Sequence, residues 1–220
     1  MCFSATGSFA FAAALTAAGA ASLRQKPSRA QRLLAWIPLL FGVQQAAEGI
    51  VWLTIQDPDR ARLHLLAVVT FLGFALVVWP TWMPLSLLLA ETRPQRRAML
   101  GALVAVGVCV SLYAGWELVR AQPAARIDSH SISYDYAGVG NVLVLALYLP
   151  VYVVATVVPY FVSSMRRARL MGTVLAVALL ATFLIRRETL TSVWCFFAAL
   201  MSVIIVLSVS ERGRVAAQPA

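Results

Sequence analysis

Residues 63–90 read LHLLAVVTFLGFALVVWPTWMPLSLLLA and contain no Lys, Arg, Asp or Glu. As a helix, this run of 28 residues would be about 42 Å long, whereas the hydrocarbon core of a bilayer is about 30 Å thick. We therefore predict a transmembrane helix that tilts, kinks or projects beyond the hydrocarbon. A split into two short helices at Trp79-Pro80 is the second interpretation.

Six more apolar runs share the chain with this one, and the charged residues, 12% of the total, lie mostly between the runs. The six runs are 3–23, 33–55, 98–119, 138–163, 170–185 and 190–210. The mean hydropathy is +0.81. This pattern predicts an all-α fold: one polytopic seven-transmembrane-helix bundle over residues 1–214, with a disordered tail at 215–220.

The basic residues are distributed unequally between alternate loops. Loops 24–32, 93–97, 166–169 and 212–214 hold twelve Lys and Arg, and loops 60–62, 120–126 and 186–187 hold six. Because basic loops stay in the cytoplasm, we expect the N-terminus outside and the C-terminus in the cytoplasm of a bacterial inner membrane, as a multi-pass protein. The net charge of +9 then indicates contacts with anionic lipid head groups at the cytoplasmic face, and not nucleic-acid binding.

Glu48 is the carboxylate predicted to lie well inside the membrane. At 100° per residue, Gln44, Gln45, Glu48 and Trp52 fall within an arc of roughly 100° and form one polar stripe. Such a stripe normally faces the bundle interior or a cavity. It indicates either a ligand, proton or metal site, or an interhelical hydrogen-bond network that only holds the bundle together.

The predicted topology places both histidines, His64 and His130, on the outer side together with Cys2. With Glu48 these residues would supply a mixed set of N, S and O ligands for zinc or copper. No CxxC or HExxH spacing accompanies them. Each residue also has a simpler interpretation, because a single interfacial histidine is usually an amphipathic anchor and Cys2 can be an ordinary small residue.

The loop at residues 126–136 is the richest polar segment of the chain. It could cap the bundle, or it could be a solvated loop with aromatic interface anchors. Its Ser, His and Asp residues do not make a catalytic triad by being adjacent in sequence. The only lysine is Lys26, in a predicted cytoplasmic loop, so retinal bound as a Schiff base is excluded.

Five blocks of sequence carry a family resemblance. They are MCFSA at 1–5, QQAAEGIVW at 44–52, WPTWMPLSL at 79–87, HSISY at 130–134 and SVWCFFAA at 192–199. The chain resembles an uncharacterised bacterial multi-pass membrane family of unknown function whose members begin with MCFSA. The resemblance implies no activity, but it marks Cys2, Glu48, His130 and Cys195 as motif positions.

Together these observations predict a polar pocket on the extracytoplasmic side. The pocket would bind a metal ion, copper or zinc, or a metal cofactor such as haem, through Cys2, Glu48, His64 and His130. Its lining is predicted to include Gln44, Gln45, Trp52, Tyr134, Trp194 and Cys195. Three alternatives remain: a membrane-embedded enzyme acting on lipid or a small substrate with Glu48 as acid or base, a proton-coupled small-molecule transporter, and a purely structural bundle. A homo-oligomer is compatible with the sequence.

Overall fold

The chain is mostly helical. In this computed structural model the described residues are 4–120, 122–128, 130–136, 142–185, 191–192, 194, 199 and 201–207. The α-helices are α1 (Ala5–Arg24), α2 (Arg32–Thr54), α3 (Ala61–Leu72), α4 (Trp79–Ala90), α5 (Pro94–Arg120), α6 (Val142–Thr156), α7 (Val158–Val162) and α8 (Ala168–Ile185). Two antiparallel strands, β1 (Ala124–Asp128) and β2 (Ser131–Asp135), follow α5. Residues 201–207 are also helical.

Four of the described helical segments are long and apolar enough to cross a membrane. They are Ala5–Arg24, Arg29–Thr54, Pro58–Ala90 and Pro94–Arg120. Leu147–Val162 and Ala168–Leu184 are shorter apolar helices. These six segments correspond to the first six predicted runs, and the seventh run, 190–210, lies partly outside the described residues. The predicted tail, 215–220, lies outside them altogether.

Helices α1 and α2 pack antiparallel and very close together. A Cβ added to Gly42 would lie 2.7 Å from Thr16 Oγ1, and one added to Gly49 would lie 2.9 Å from the ring of Phe9. These glycines permit a backbone separation that a larger residue would prevent. The contact at Gly49 brings the first turns of α1 beside the part of α2 that carries Glu48.

The longest apolar segment is one continuous helix, Pro58–Ala90, so a split at Trp79-Pro80 is wrong. A π-helical stretch, Gly73–Val78, joins α3 to α4. The Trp79 amide donates to the carbonyl of Phe74, five residues earlier. Because Pro80 has no amide hydrogen, this wider turn lets the helix continue past the proline without a break.

Side chains from neighbouring helices bond the carbonyls of the π-helical stretch. The Tyr152 hydroxyl of α6 donates to the Ala75 carbonyl at 2.5 Å. The Ser111 hydroxyl of α5 donates to the Val77 carbonyl at 2.6 Å, and it lies 2.9 Å from Thr81 Oγ1. Irregular backbone inside a membrane requires such partners, so α5 and α6 hold the distorted segment in place.

Pro84 of α4 and Gly107 of α5 together allow the two helices to approach closely. Pro84 has no amide hydrogen to offer the carbonyl of Pro80, four residues earlier. Gly107 of α5 lies against that carbonyl, and a Cβ at residue 107 would be 1.9 Å from the Pro80 oxygen. The glycine therefore fits where the proline has freed a carbonyl.

The segment between α5 and α6 differs from prediction, because an all-α fold does not include the hairpin of β1 and β2. Ile127 pairs with Ile132 in the antiparallel register. Strand β2 is buried except at Asp135, and the Tyr134 ring stacks on Phe71 of α3 with centroids 4.6 Å apart. Of the two interpretations of this segment, a cap on the bundle and a solvated loop, β2 therefore fits the cap, because Ile132 is fully buried and Tyr134 packs on α3.

Glu91, between α4 and α5, ties two loops together. The residue is 2% exposed. Its carboxylate accepts hydrogen bonds from Ser164 N and Oγ, both at 2.6 Å, and from the amides of Thr92 and Arg93. Burial by itself raises a carboxyl pKa, but these hydrogen bonds outweigh it and lower the Glu91 pKa from 4.5 to about 2. The α4–α5 corner is therefore fixed to the α7–α8 loop by an ionised side chain.

Candidate functional site

Glu48 is fully buried in α2, six residues before the helix ends at Thr54, which is about 9 Å along the axis. Ser192 Oγ donates a hydrogen bond of 2.5 Å to Glu48 Oε1. Gln45 Nε2, on the preceding turn, donates to Glu48 Oε2 at 3.3 Å. The carboxyl group is therefore bonded to its own helix and to the helical stretch near the end of the chain.

Gln44 extends this cluster toward the distorted helix. Trp79 Nε1 donates to Gln44 Oε1 at 2.7 Å, and both groups are buried. The Trp79 ring stacks on Phe41 with centroids 4.1 Å apart, which fixes the indole against α2. Because Trp79 directly follows the π-helical stretch, one hydrogen bond links the polar stripe of α2 to that stretch.

Three donors near this stripe have no hydrogen-bond partner among the described residues. They are Ser8 Oγ on α1, Gln44 Nε2 and Trp52 Nε1, and all three atoms are buried. Buried donors are normally satisfied by protein or by ordered water. Because almost no surface of these atoms is accessible, water or a ligand could bond them only if the surrounding side chains moved. Ser8 was not predicted as part of the site.

The structure places the two histidines at the corner between α2 and α3 and in the turn of the β-hairpin. His64 Nδ1 is 3.0 Å from Thr54 Oγ1, at the corner between α2 and α3. His130 is exposed in the turn of the β-hairpin. Cys2 lies outside the described residues. Within the described part, which includes Glu48 and both histidines, no group of three or more His, Cys, Asp or Glu side chains could hold a metal.

The other predicted lining residues divide between two apolar clusters. Trp52 and Tyr134 pack with the cluster that includes Val51 and Phe71, beneath the hairpin. Trp194 packs with the other cluster, where it meets the Tyr152 ring edge-on at 5.5 Å. Cys195 lies outside the described residues. The structure thus brings Gln44, Gln45 and Glu48 into one cluster and adds two partners that sequence reasoning did not assign, Trp79 and Ser192.

Comparison with known proteins places the chain in a family without assigning it an activity. A family profile described as a family of unknown function (DUF6629) matches residues 1–220, and the chain belongs to this family. No curated protein and no solved structure matches it. The prediction of an uncharacterised family is confirmed.

Proposed function

We propose that this member of a family of unknown function is a proton-coupled transporter of small molecules, in which Glu48 takes up and releases the proton. The observation that carries the proposal is the 2.7 Å hydrogen bond from Trp79 to Gln44. It connects the stripe that contains the buried carboxyl with the π-helical stretch of the longest helix. Gln44 and Glu48 lie one turn apart on the same face of α2, so a change of charge on Glu48 would act on this bond and, through Trp79, on the π-helical stretch.

The partners of Glu48 support a proton-binding role. Carboxyl groups inside a membrane are rare, face the bundle interior and mark proton pathways. An ionised carboxylate only accepts hydrogen bonds, whereas its protonated form also donates one. Protonation would therefore alter the bond to Ser192 at 2.5 Å, which joins helices far apart in the chain. That bond is the first structural element that would respond.

The π-helical distortion of the helix Pro58–Ala90 supports a transport role. Such π-helical turns occur frequently at functional sites, and irregular backbone inside a membrane is tolerated where it is buried in protein or lines a cavity. Here the π-helical stretch lies between α3 and α4, with Pro80 and Pro84 just beyond it. The unpartnered donors Ser8 Oγ, Gln44 Nε2 and Trp52 Nε1 are buried, and they would bind the acceptor oxygens of a substrate once the helices around them move apart.

The proposal includes a membrane topology. We place seven spans in a bacterial inner membrane, with the N-terminus outside and the C-terminus in the cytoplasm. The excess of twelve basic residues over six on alternate loops supports this orientation. The Arg-rich loops around Glu91 would then contact anionic lipid head groups. Reporter fusions after residues 28 and 214 should be active only in their cytoplasmic form, and a periplasmic signal from either would contradict the orientation.

The test uses the full chain in liposomes, as wild type, Glu48→Gln and Glu117→Gln. Glu117 is a matched control, because it is a carboxylate near the end of α5 that pairs with Arg120. Infrared spectra over a pH series report the carboxylic acid carbonyl band, and hydrogen exchange of the peptide 73–84 reports the π-helical stretch. We expect the wild type and Glu117→Gln to share a pH-dependent component in both signals that Glu48→Gln lacks, in addition to the titration of the other carboxyl groups and the intrinsic pH dependence of amide exchange. The same pH response in Glu48→Gln overturns the proposal.

Transport itself is measured with a pH-sensitive dye inside the liposomes. Amino acids, sugars, organic acids and nucleosides are supplied in turn, and we expect one class to move protons in the wild type and in Glu117→Gln. Glu48→Gln should abolish this movement. If no class moves protons, or if Glu48→Gln moves them equally well, the transporter assignment is wrong.

Metal binding is the second candidate. The packing of Phe9 on Gly49 supports it, because this contact brings the beginning of α1 beside the part of α2 that carries Glu48. The ligands would be Cys2, Glu48, His64 and His130, and the metal would be copper, zinc or haem iron. His64 and His130 would have to move toward Glu48, because these three side chains do not form a ligand group in the structure. Metal analysis of the purified protein should then give one equivalent that Cys2→Ala or His130→Ala removes. A substoichiometric amount that neither variant changes would eliminate this candidate.

A further inference from the structure

The turn between α4 and α5 and the loop before α8 form one basic surface, the basic corner. Its two segments, 91–97 and 162–169, contain six arginines and one carboxylate, so their net charge is +5. Ser164 N and Oγ both donate to the Glu91 carboxylate at 2.6 Å, and Arg96 Nη1 donates to the Val162 carbonyl at 3.0 Å. These bonds bring arginines from two distant parts of the sequence to one place.

The arginines of the basic corner have two different roles. Arg97 Nη1 donates to the carbonyls of Leu88 and Glu91 at the end of α4, so Arg97, like Arg96, bonds the backbone and holds the corner together. Three other guanidinium groups are exposed and make no ion pair or side-chain hydrogen bond within the part of the chain that the structure describes. They belong to Arg93, Arg166 and Arg169. These three are available to bind an anion.

Exposed apolar side chains follow the arginines along both helices. Met99 lies two residues beyond Arg97 in α5, Leu170 directly follows Arg169 in α8, and both side chains are exposed. Both helices belong to the apolar segments, so in a membrane these side chains would face acyl chains. A ligand at the corner would therefore meet cationic groups first and apolar side chains deeper, which matches a phospholipid better than a free anion.

We infer that the basic corner binds one phospholipid with two phosphate groups, one phosphate on Arg93 and the other on Arg166 and Arg169. Guanidinium groups bind phosphate oxygens through pairs of parallel hydrogen bonds, and basic pockets between membrane helices bind lipid head groups of this class. The bonds between Glu91 and Ser164 fix the two loops side by side, so the head group binds without a cost for ordering the backbone. The inference narrows a general attraction to anionic lipid to one stoichiometric site, and it rests on the proposed membrane placement but not on transport.

The first experiment titrates the full chain in mild detergent with cardiolipin, which has two phosphates, and with phosphatidylglycerol at equal phosphate concentration. Native mass spectrometry counts the bound lipids. We expect one cardiolipin to bind at least about tenfold more tightly, the factor expected for one further charge-assisted hydrogen bond. Arg93→Gln should remove this preference. Arg62→Gln should keep it, because Arg62 is an exposed arginine at the opposite end of the helix Pro58–Ala90. No preference in the wild type, or equal losses in the two variants, overturns the inference.

Inorganic pyrophosphate is the probe for a soluble ligand with two phosphates. At a concentration equal to that of cardiolipin, it should leave the lipid bound, because it lacks the acyl chains that would contact Met99 and Leu170. Displacement of cardiolipin at this concentration would assign the basic corner to a soluble anion and overturn the lipid assignment.

The second experiment separates a built site from a diffuse attraction between charges. Glu91→Gln makes the corner more positive by one charge, so a diffuse attraction to anionic lipid would become stronger. A built site would become weaker, because a neutral amide bonds Ser164 less strongly than a carboxylate does and the two loops lose their fixed spacing. We expect weaker cardiolipin binding in Glu91→Gln and also in Ser164→Ala, which leaves the charge unchanged. Stronger or unchanged binding in either variant contradicts the inference.

These outcomes are separable from those of the proposed function. If Glu91→Gln does not fold, Ser164→Ala and Arg93→Gln still decide the matter, since Arg93 is a surface residue. Reporter fusions measure the membrane orientation and the dye measures proton movement, and neither signal requires bound cardiolipin to be counted. A failure of lipid binding alone therefore overturns this site and leaves the transporter assignment to its own tests.

Discussion

Gly107 of α5 lies directly against the carbonyl oxygen of Pro80 in α4, at a distance that leaves no room for a side chain. We expect Gly107→Ala to destabilise the protein by at least about 1–3 kcal/mol, because a Cβ would be 1.9 Å from backbone oxygen, and backbone cannot rotate away as a side chain can. The measurement is unfolding in mixed micelles. Gly101→Ala is the control, since a Cβ there meets no atom within 4 Å and should stabilise the helix by about 0.5–1 kcal/mol. Similar effects of the two substitutions would contradict the packing.

Trp79→Phe removes the indole donor that bonds Gln44. Because the Gln44 amide is fully buried and its Nε2 already has no partner in the described part, we expect a loss of about 1–3 kcal/mol in unfolding free energy. Trp82→Phe removes a comparable indole bond, at 3.1 Å to the carbonyl of Leu33, but at a partly buried site. It should cost less, about 0.5–1.5 kcal/mol. An equal or reversed order in chemical denaturation would count against the importance of the Gln44 bond.

We expect the protein to lose stability at acid pH, because Glu91 stabilises the fold in its ionised form. Its folded-state pKa, about 2, is below its ordinary value of 4.5, so folding favours the ionised form. Its stabilisation is present above about pH 4.5 and is lost as the pH falls from 4.5 toward 2. Thermal unfolding across this window should show a decline that Ser164→Ala reduces and Glu91→Gln removes. A decline of the same size in Glu91→Gln would assign it to other carboxylates.

Two cross-strand partners in the hairpin should respond very differently to truncation. Ile132 is 0% exposed, whereas Ile127, its partner in the register, is 39% exposed. We expect Ile132→Ala to cost about 2–5 kcal/mol and Ile127→Ala about 1 kcal/mol or less. Limited proteolysis between α5 and α6 reports the hairpin directly. Faster cleavage in Ile127→Ala than in Ile132→Ala would show that β1, and not β2, lies on the bundle.

Most helix positions could be predicted from sequence, because apolar runs end at charged residues and prolines. Run 98–119 became α5, Pro94–Arg120, and run 33–55 became α2, Arg32–Thr54. The hairpin was missed because its polar residues outweighed the alternation of Ile132 and Tyr134 in β2. The stability of a short strand also depends on a partner surface, here Phe71, that sequence does not reveal.

The candidate site was predictable only where it lies on a single helix. Gln44, Gln45 and Glu48 share one face by helical geometry, and all three are buried. Trp79 and Ser192 are 35 and 144 residues from their partners, so their roles depend on which helices become neighbours. No periodicity within one segment contains that information.

The separation of Glu48 and Ser192 also constrains how the protein is made. At about 5–20 residues per second, the ribosome needs roughly 7–30 s to synthesise the intervening chain. During that interval α1 and α2 are already available to the translocon, and the acid must enter the bilayer before its hydroxyl partner exists. Gln45, one turn away on the same helix, is present from the start and can bond the carboxyl during insertion. Biogenesis would therefore be more sensitive to loss of Gln45 than the finished protein is.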